Sequence, residues 1–495
     1  MRVMRGGLLA AVAATALAAG TGGAETLREA LERTYRTNPT LMAQRERLRG
    51  LDESVAIARA GLRPQVSATA GLNQDLFNSG SGEPRNVSVG IDVSYPLFNG
   101  NRVRNQIGAA NARVDAGRAD LRGTEGDIFT EAVGAYMDVI RDRSIVALNE
   151  NQVRVLRTNL EATRDRFEVG DLTRTDVAQS EARLALAESA LATAQGRLRT
   201  SEEGFRRVIG ELPTELEPPP VLPRLPDTAD EAVLIALDNN PDLRAIAAQV
   251  RAAGLDIDVI RADRLPTVSA VTGVDYLNRL GSAAELLSGT PIPGQALPPN
   301  EVSGASVGVT ARIPIYQGGS VGARVRQASA IRTQLVETAI EAERLVIART
   351  RAAFATYRAA LNAIESNTVA VAANQLALEG TRAENTVGTR NVLDVLNAEQ
   401  ELLNSEVQLV TARRDAYVAG FALLNAMGRA EAEDLGLDGG PLYDPLVHYE
   451  GTRGRASDWS DGEARAPAST RTAPPNAGGP IAPLIGPVDP RQPQP

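Results

Sequence analysis

Two hydrophobic periods alternate along this chain, and each is met twice. Residues of about 26–62 and 228–263 carry the helical spacing, broken near Asn38-Pro39 and Asn240-Pro241, where proline restricts the preceding residue and opens a new helix. The period then falls to two. Val66, Ala68, Ala70 and Leu72 alternate with Ser67, Thr69, Gly71 and Asn73, and Val87, Val89, Ile91, Val93 and Tyr95 alternate with Ser88, Gly90, Asp92 and Ser94. The same alternation returns with Val268, Ala270 and Val274, and with Val307, Val309, Ala311 and Ile313. Each pair of strands is joined by a polar Gly/Pro/Asn/Ser loop, which predicts β-hairpins at about 65–97 and 267–315. Strands of roughly 9–11 residues have the length of tilted transmembrane strands. After Gly100 and Gly318 the helical period resumes with almost no proline for nearly 70 residues, a helix of roughly 100 Å. Leu335, Ala339, Ala342, Val346, Ala353, Ala360 and Ala363 keep heptad-like spacing, so it is expected in a coiled-coil seam. Turns at 169–173 and 387–391 end these helices. Shorter helices, about 174–210 and 391–428, read back from them; stacked end to end with the 36-residue stretch that opens each copy, they would match the long one.

The two halves are copies. Asn38-Pro39 matches Asn240-Pro241 and Pro64 matches Pro266 at an offset of 202. Beyond an insertion of 16 residues, placed between Leu277 and Asn300, the offset is 218: Pro96 matches Pro314, Phe98 Tyr316, Gly100 Gly318, Gly170 Gly388, Asp176 Asp394 and Gly210 Gly428. A constant offset over more than a hundred residues marks internal duplication. The expected domains are therefore repeat 1 at 25–212, a Pro-rich linker at 213–226, repeat 2 at 227–430 and a tail at 431–495.

Composition narrows the function. Aromatic residues make up only 3% of 495, thin for several compact cores, so the chain reads as elongated. Residues 1–24, with Arg2, Arg5, an apolar run from Leu8 to Ala19 and small residues up to Ala24, have the layout of a secretory signal. No later segment is apolar enough to span a membrane as a helix, so membrane insertion is expected through β-strands. The net charge of −9 falls to −11 without the two signal arginines, which argues against nucleic acid. There is no cysteine and one histidine, His448, in a segment expected to be irregular. Cys/His metal sites, cysteine nucleophiles, histidine triads and a cysteine-linked lipid are thereby excluded, no cofactor is expected, and an enzyme is disfavoured. From about Asp438 the composition shifts to Gly, Pro, Ala, Ser and Arg, which predicts a mostly disordered tail in which Trp459 is incidental.

Four strands cannot close a membrane barrel, which needs at least about eight. Two chains would give eight strands and a filled interior; three give twelve and leave a passage. The expected fold is a long α-helical coiled-coil barrel joined to a twelve-stranded β-barrel that a homotrimer builds, four strands per chain. An adhesive or structural trimeric coiled coil is the alternative; it accounts for the heptads but not for four alternating strands in register with the duplication.

The segments "RFEVGDLTRTDV" from Arg166, "IPIYQGG" from Ile313 and "VGTRNVLDVLNA" from Val387 resemble those of the TolC family of outer-membrane efflux channels, and the likeness extends over residues 25 to about 430. The resemblance implies a passive outer-membrane exit duct that reaches into the periplasm. Its partners would be a periplasmic adaptor and an inner-membrane pump of the resistance-nodulation-division, ABC or major-facilitator type, or a type I secretion ATPase. It also implies a gate at the periplasmic helix tips that opens like an iris. Carried over by position, the closing network maps to Asp176 and Arg390, with Thr175 beside them and Asn385 where the family has a tyrosine. The constriction ring maps to Asp394, with Asn397 in place of a second aspartate, so three carboxylates and a weak cation site are expected rather than six. The adaptor would meet Val169, Gly170, Asp171, Val387, Gly388 and Thr389. The same residues also read as ordinary helix boundaries, with Thr173 and Asn391 as N-caps and the two glycines as helix stops.

Overall fold

A computed structural model describes residues 24–74, 85–282, 296, 299–437, 442–462, 466–469 and 471–472. Residues 1–23 of the signal expected at 1–24, most of the insertion and the tail beyond 472 lie outside the described residues. Thirteen elements follow in the described chain: α1 (Leu27–Thr37), α2 (Pro39–Ala60), β1 (Gln65–Gln74), β2 (Arg85–Phe98), α3 (Arg102–Glu168), α4 (Arg174–Ile209), α5 (Ala229–Asn239), α6 (Pro241–Ala262), β3 (Thr267–Asn278), β4 (Glu301–Arg312), α7 (Ser320–Thr386), α8 (Val392–Ala426) and α9 (Pro445–Thr452). Among them no helix is long and apolar enough to cross a membrane.

The sheet runs β1-β2-β3-β4 with each strand pair antiparallel, and a separate parallel bridge joins Glu25 to Leu216. Its register places Val66 opposite Val93, Ala68 opposite Ile91 and Leu72 opposite Val87; Ile91 in turn faces Val274, and Ala270 faces Val309. Period-two alternation thus puts most apolar side chains on one face and Ser, Thr, Gly, Asn and Asp mainly on the other, with Thr272 and Ser303 on the apolar face and Val271, Leu277 and Val302 on the polar one. The apolar face is uncovered within the chain: Val66, Leu72, Ile91, Val274 and Val307 are all exposed. Among the described residues, β1 and β4 each keep a free edge.

The two long helices are 67 residues each and occupy equivalent positions in the two copies. α3 packs on α2 and α6 in its first half and on α4 and α8 in its second; α7 packs on α6 and α8. Of the heptad positions in α7, Val346 is buried and the others are half-covered. The end-to-end stacking needs one correction. Only α2 and α6, 22 residues each, continue the lines of α4 and α8, because α1 and α5 turn aside at the Asn-Pro pairs.

Those pairs make the joint. Asn38 Oδ1 accepts the backbone N–H groups of Thr40 and Leu41, capping α2, while its Nδ2 donates to Val208 O at 3.0 Å, near the end of α4. Asn240 repeats this, capping α6 through Asp242 and Leu243 and donating to Ala426 O at 3.2 Å. One amide therefore satisfies the orphan donors of one helix and an orphan carbonyl of another. Around this level lies the main aromatic core, with Phe129, Tyr136, Phe205 and Phe421 fully or almost fully buried. The Tyr136 hydroxyl lies 2.8 Å from Glu25 O and 2.7 Å from Glu217 O, tying the chain start and the linker to α3.

The expectation of disorder from Asp438 onward is corrected for residues 442–462. Pro445–Thr452 forms α9, which packs on α2, and His448 lies in this helix rather than in irregular chain. Its Nδ1 is 2.9 Å from Oδ2 of the fully buried Asp52. The physical reason is a short aromatic ladder: the Arg45 and Arg49 guanidinium groups lie 5.0 and 5.6 Å from the Tyr443 ring centre, and Arg118 lies 5.0 Å from that of Tyr449.

Asn38→Ala and Asn240→Ala each remove a cap worth ~1 kcal/mol and a carbonyl bond worth about as much again. Urea unfolding followed by circular dichroism is expected to show losses of similar size in the two variants, with the Asn→Asp versions keeping the cap and recovering about half.

Candidate functional site

The two turns at the far end of the helices are built alike. α3 ends with Gly170 at φ +82°, its N–H donating to Phe167 O and that of Asp171 to Arg166 O. α7 ends with Gly388 at φ +79°, its N–H donating to Asn385 O and that of Thr389 to Glu384 O. This is the left-handed helix stop that glycine tolerates and that satisfies the last carbonyls. Val169, Asp171, Val387 and Thr389 stand exposed beside the glycines. The tips are therefore accessible and conformationally fixed at once.

The return helices begin with side-chain caps. Thr173 and Asp176 form a full capping box: Asp176 Oδ2 accepts from Thr173 N–H at 2.9 Å and from its hydroxyl at 2.7 Å, and Asp176 N–H donates back to Thr173 Oγ1. Those bonds hold the Asp176 carboxyl below its ordinary range. With the folded value depressed, this cap stabilises the turn above the ordinary carboxylate range, and that stability is lost as pH falls from there through the depressed folded value. Asn391 Oδ1 caps α8 by accepting from Asp394 N–H at 2.8 Å.

The structure does not bring Asp176 and Arg390 together. Arg390 Nε donates to Glu384 Oε2 at 2.9 Å, and its Nη1 lies 3.9 Å from Asp394 Oδ2, within the turn of the second copy. Asn385 Nδ2 donates to Arg390 O at 2.8 Å, so the residue in the tyrosine's place braces the arginine backbone. Thr175 is exposed one residue before Asp176. Asn397 accepts from Arg183 Nη2 at 2.7 Å, linking α4 of the first copy to α8 of the second.

Sequence reasoning missed the buried member of this region. Glu399 is 3% exposed and lies between three helices, accepting from Asn159 Nδ2 of α3 at 3.0 Å and from Arg382 Nη2 of α7 at 3.0 Å. Its place in α8, five residues after Asp394 and two after Asn397, was the available signal. A buried carboxylate held by donors on two neighbouring helices fixes their relative rotation just above the tips.

Such a chain, a free-edged sheet with an uncovered apolar face carried on helices about 100 Å long that end in paired turns, has the architecture of outer-membrane channel subunits. The family model described as "Outer membrane efflux protein" matches residues 28–211 and 233–429. The outer membrane efflux protein BepC of Brucella suis is 36% identical over 458 residues, covering 89% of this chain and 95% of that protein. The outer membrane protein TolC of Vibrio cholerae is 26% identical over 83% of this chain and 92% of its own length. The proteases secretion protein PrtF of Dickeya chrysanthemi is 24% identical over 85% and 91%. The crystal structure of the outer membrane protein VceC from Vibrio cholerae shares the fold at a TM-score of 0.68 and 20% identity, covering 81% of this chain and 96% of that one. The chain belongs to the outer membrane efflux protein family, that of TolC, and is a protein of the outer membrane.

Glu399→Ala removes the buried acceptor and leaves Asn159 and Arg382 without it, at ~1–3 kcal/mol. Hydrogen exchange should then rise on both sides of residues 382–399 with the main aromatic core unchanged, while Glu399→Gln keeps part of the protection.

Proposed function

We propose that this protein is the outer-membrane exit duct of a tripartite efflux pump or a type I secretion system. The observation that carries the reading is the four-stranded sheet, which exposes an apolar face and ends in two unpaired edges. In a bilayer every backbone polar group must be paired, so such a sheet is stable only when closed by further copies. Three copies give twelve strands with the apolar face toward lipid and the Ser/Thr/Asn/Asp face toward a passage. The uncovered length of α7, where only Val321, Val346, Thr350 and Leu378 are buried, supports the same homotrimer by offering a long face to a neighbouring subunit.

The duct is passive; an inner-membrane pump or secretion ATPase supplies the energy through a periplasmic adaptor. The adaptor docks on the exposed tips, at Val169-Gly170-Asp171 and Val387-Gly388-Thr389. The relatives named for efflux and for protease secretion support both branches of the reading.

At the same tips we place the gate. Within one chain Asp176 and Arg390 are each engaged in their own turn, so the clamp is an exchange: in the closed trimer the Arg390 guanidinium leaves Glu384 and takes Asp176 of a facing turn, with Thr175 and Asn385 beside it. Because both sides of the exchange are solvated ion pairs, switching between them costs little. Asp394, one from each chain, forms the constriction ring, and the nearby Arg390 weakens its hold on cations.

In planar bilayers, Asp176→Ala and Arg390→Ala are each expected to raise the conductance of the isolated channel several-fold; unchanged conductance in both would remove the clamp. Asp394→Ala should abolish block by trivalent cations added from the periplasmic side, and persistent block would place the ring elsewhere.

A further inference from the structure

The family match ends at residue 429, yet the described chain continues along a defined path. The Tyr443 backbone N–H donates to Tyr35 Oη at 2.9 Å, near the aromatic core. His448 then meets Asp52, and the Tyr449 hydroxyl donates to Asn111 Oδ1 at 3.0 Å. Arg59 Nη1 donates to Arg453 O at 3.3 Å, and Arg63 donates to Gly454 O at 3.2 Å and to Arg455 O. The partners on the first copy advance from residue 35 to residue 63, two residues short of β1. The tail therefore climbs α2 from the core to the base of the sheet.

What it delivers there is unusual for an acidic chain. Arg59, Arg63, Arg453 and Arg455 gather at one level, and among the described residues none has a carboxylate within 4.0 Å. Arg59 and Arg63 hold backbone carbonyls, and Arg453 lies 5.7 Å from the Tyr449 ring centre. The acids near them in the tail sequence are Glu450, Asp458 and Asp461, three against the four arginines. Four residues beyond Arg455 stands Trp459, 95% exposed. Four residues of chain reach at most ~14 Å, so the indole stays close to the level where β1 begins. Leu62 and Phe98 are also exposed at this end of the sheet.

We propose that residues 453–459, with Arg59 and Arg63, form an interfacial anchor for anionic phospholipid of the periplasmic leaflet. The guanidinium forks bind lipid phosphates and the Trp459 indole lies among the headgroups. This rests on the reading above that the sheet crosses the bilayer, since only then does its helix-side end coincide with the leaflet surface. Arginine presents planar paired donors that match a phosphate, and tryptophan partitions to the headgroup level because its ring is apolar at one end and a donor at the other. A surface rich in anionic lipid attracts such a cluster, whereas a zwitterionic one does so weakly. The anchor would hold α9, and through it α2, against the membrane while the distant tips move.

Trp459 is the chain's only tryptophan, so its emission reports on this site without an engineered probe. The full-length channel is reconstituted in vesicles of acyl-brominated phosphatidylcholine, with or without acyl-brominated phosphatidylglycerol, and conductance is recorded on the same preparations. Lipid quenching of the indole is expected to be roughly two-fold greater with phosphatidylglycerol, with acrylamide quenching reduced in step. The variant Arg63→Ala/Arg453→Ala/Arg455→Ala should lose that excess and still conduct. An indole in a conducting channel that stays open to acrylamide and unaffected by brominated lipid would overturn the anchor. Shielding from both quenchers alike would overturn it in favour of a contact with a neighbouring protein surface. Equal quenching in the two lipids would overturn the role of the arginines. Vesicle-bound protein that never conducts would instead overturn the duct reading on which the anchor rests.

Discussion

Everything in this molecule depends on where the unpaired edges of its sheet find partners. β1 and β4 carry rows of backbone donors and acceptors, and most apolar side chains of the four strands share one uncovered face. In water such a sheet would aggregate; in a membrane it must close. On the proposed reading, closure by copies of the same chain fixes the symmetry of the assembly, and that symmetry makes the helices below it meet as a ring. The long helices, their paired turns and the joints at Asn38 and Asn240 then act as a scaffold that carries a constraint at one end to an aperture at the other.

In the proposed gate the tips serve exchange rather than strength. The glycine stops and the Thr173 and Asn391 caps define each turn without help from neighbouring subunits, so the turns survive opening. The charged groups that would close the aperture are solvated and already have local partners, as with Arg390 on Glu384. The strongest polar contact nearby is set back from the tips, at Glu399, where burial between α3, α7 and α8 keeps the helices in register. Rigidity at Glu399 and switching at Arg390 are thus separated by about two helical turns.

Much of the fold was legible because its signals are local and periodic. Two-residue alternation gave the strands, unbroken helical period gave α3 and α7, and the Asn-Pro and Gly landmarks gave the duplication. The tip glycines and their caps were legible for the same reason. Contacts between distant segments were not. The seat of α9 on α2 joins residues some 400 positions apart, and the composition beyond it hides a short run containing Tyr443, His448 and Tyr449. Glu399 looked like one more polar position on a long helix, since only packing decides that it is buried. The single-chain partner of Arg390 was hidden for a related reason: Glu384, six residues back at the end of α7, meets it only because the turn folds the chain between them.

Joining β1 of one chain to β4 of the next is the central claim, and it can be tested directly because the chain has no cysteine. One cysteine in place of Ala68 in β1 and another placed in turn at Ala305, Val307 and Val309 in β4 all lie on the apolar face. Treatment of the membrane-embedded protein with a short bismaleimide is predicted to give covalent dimers and trimers and nothing larger, and only when both strands carry a cysteine. Inserted, conducting protein that remains monomeric across the whole set would contradict the account.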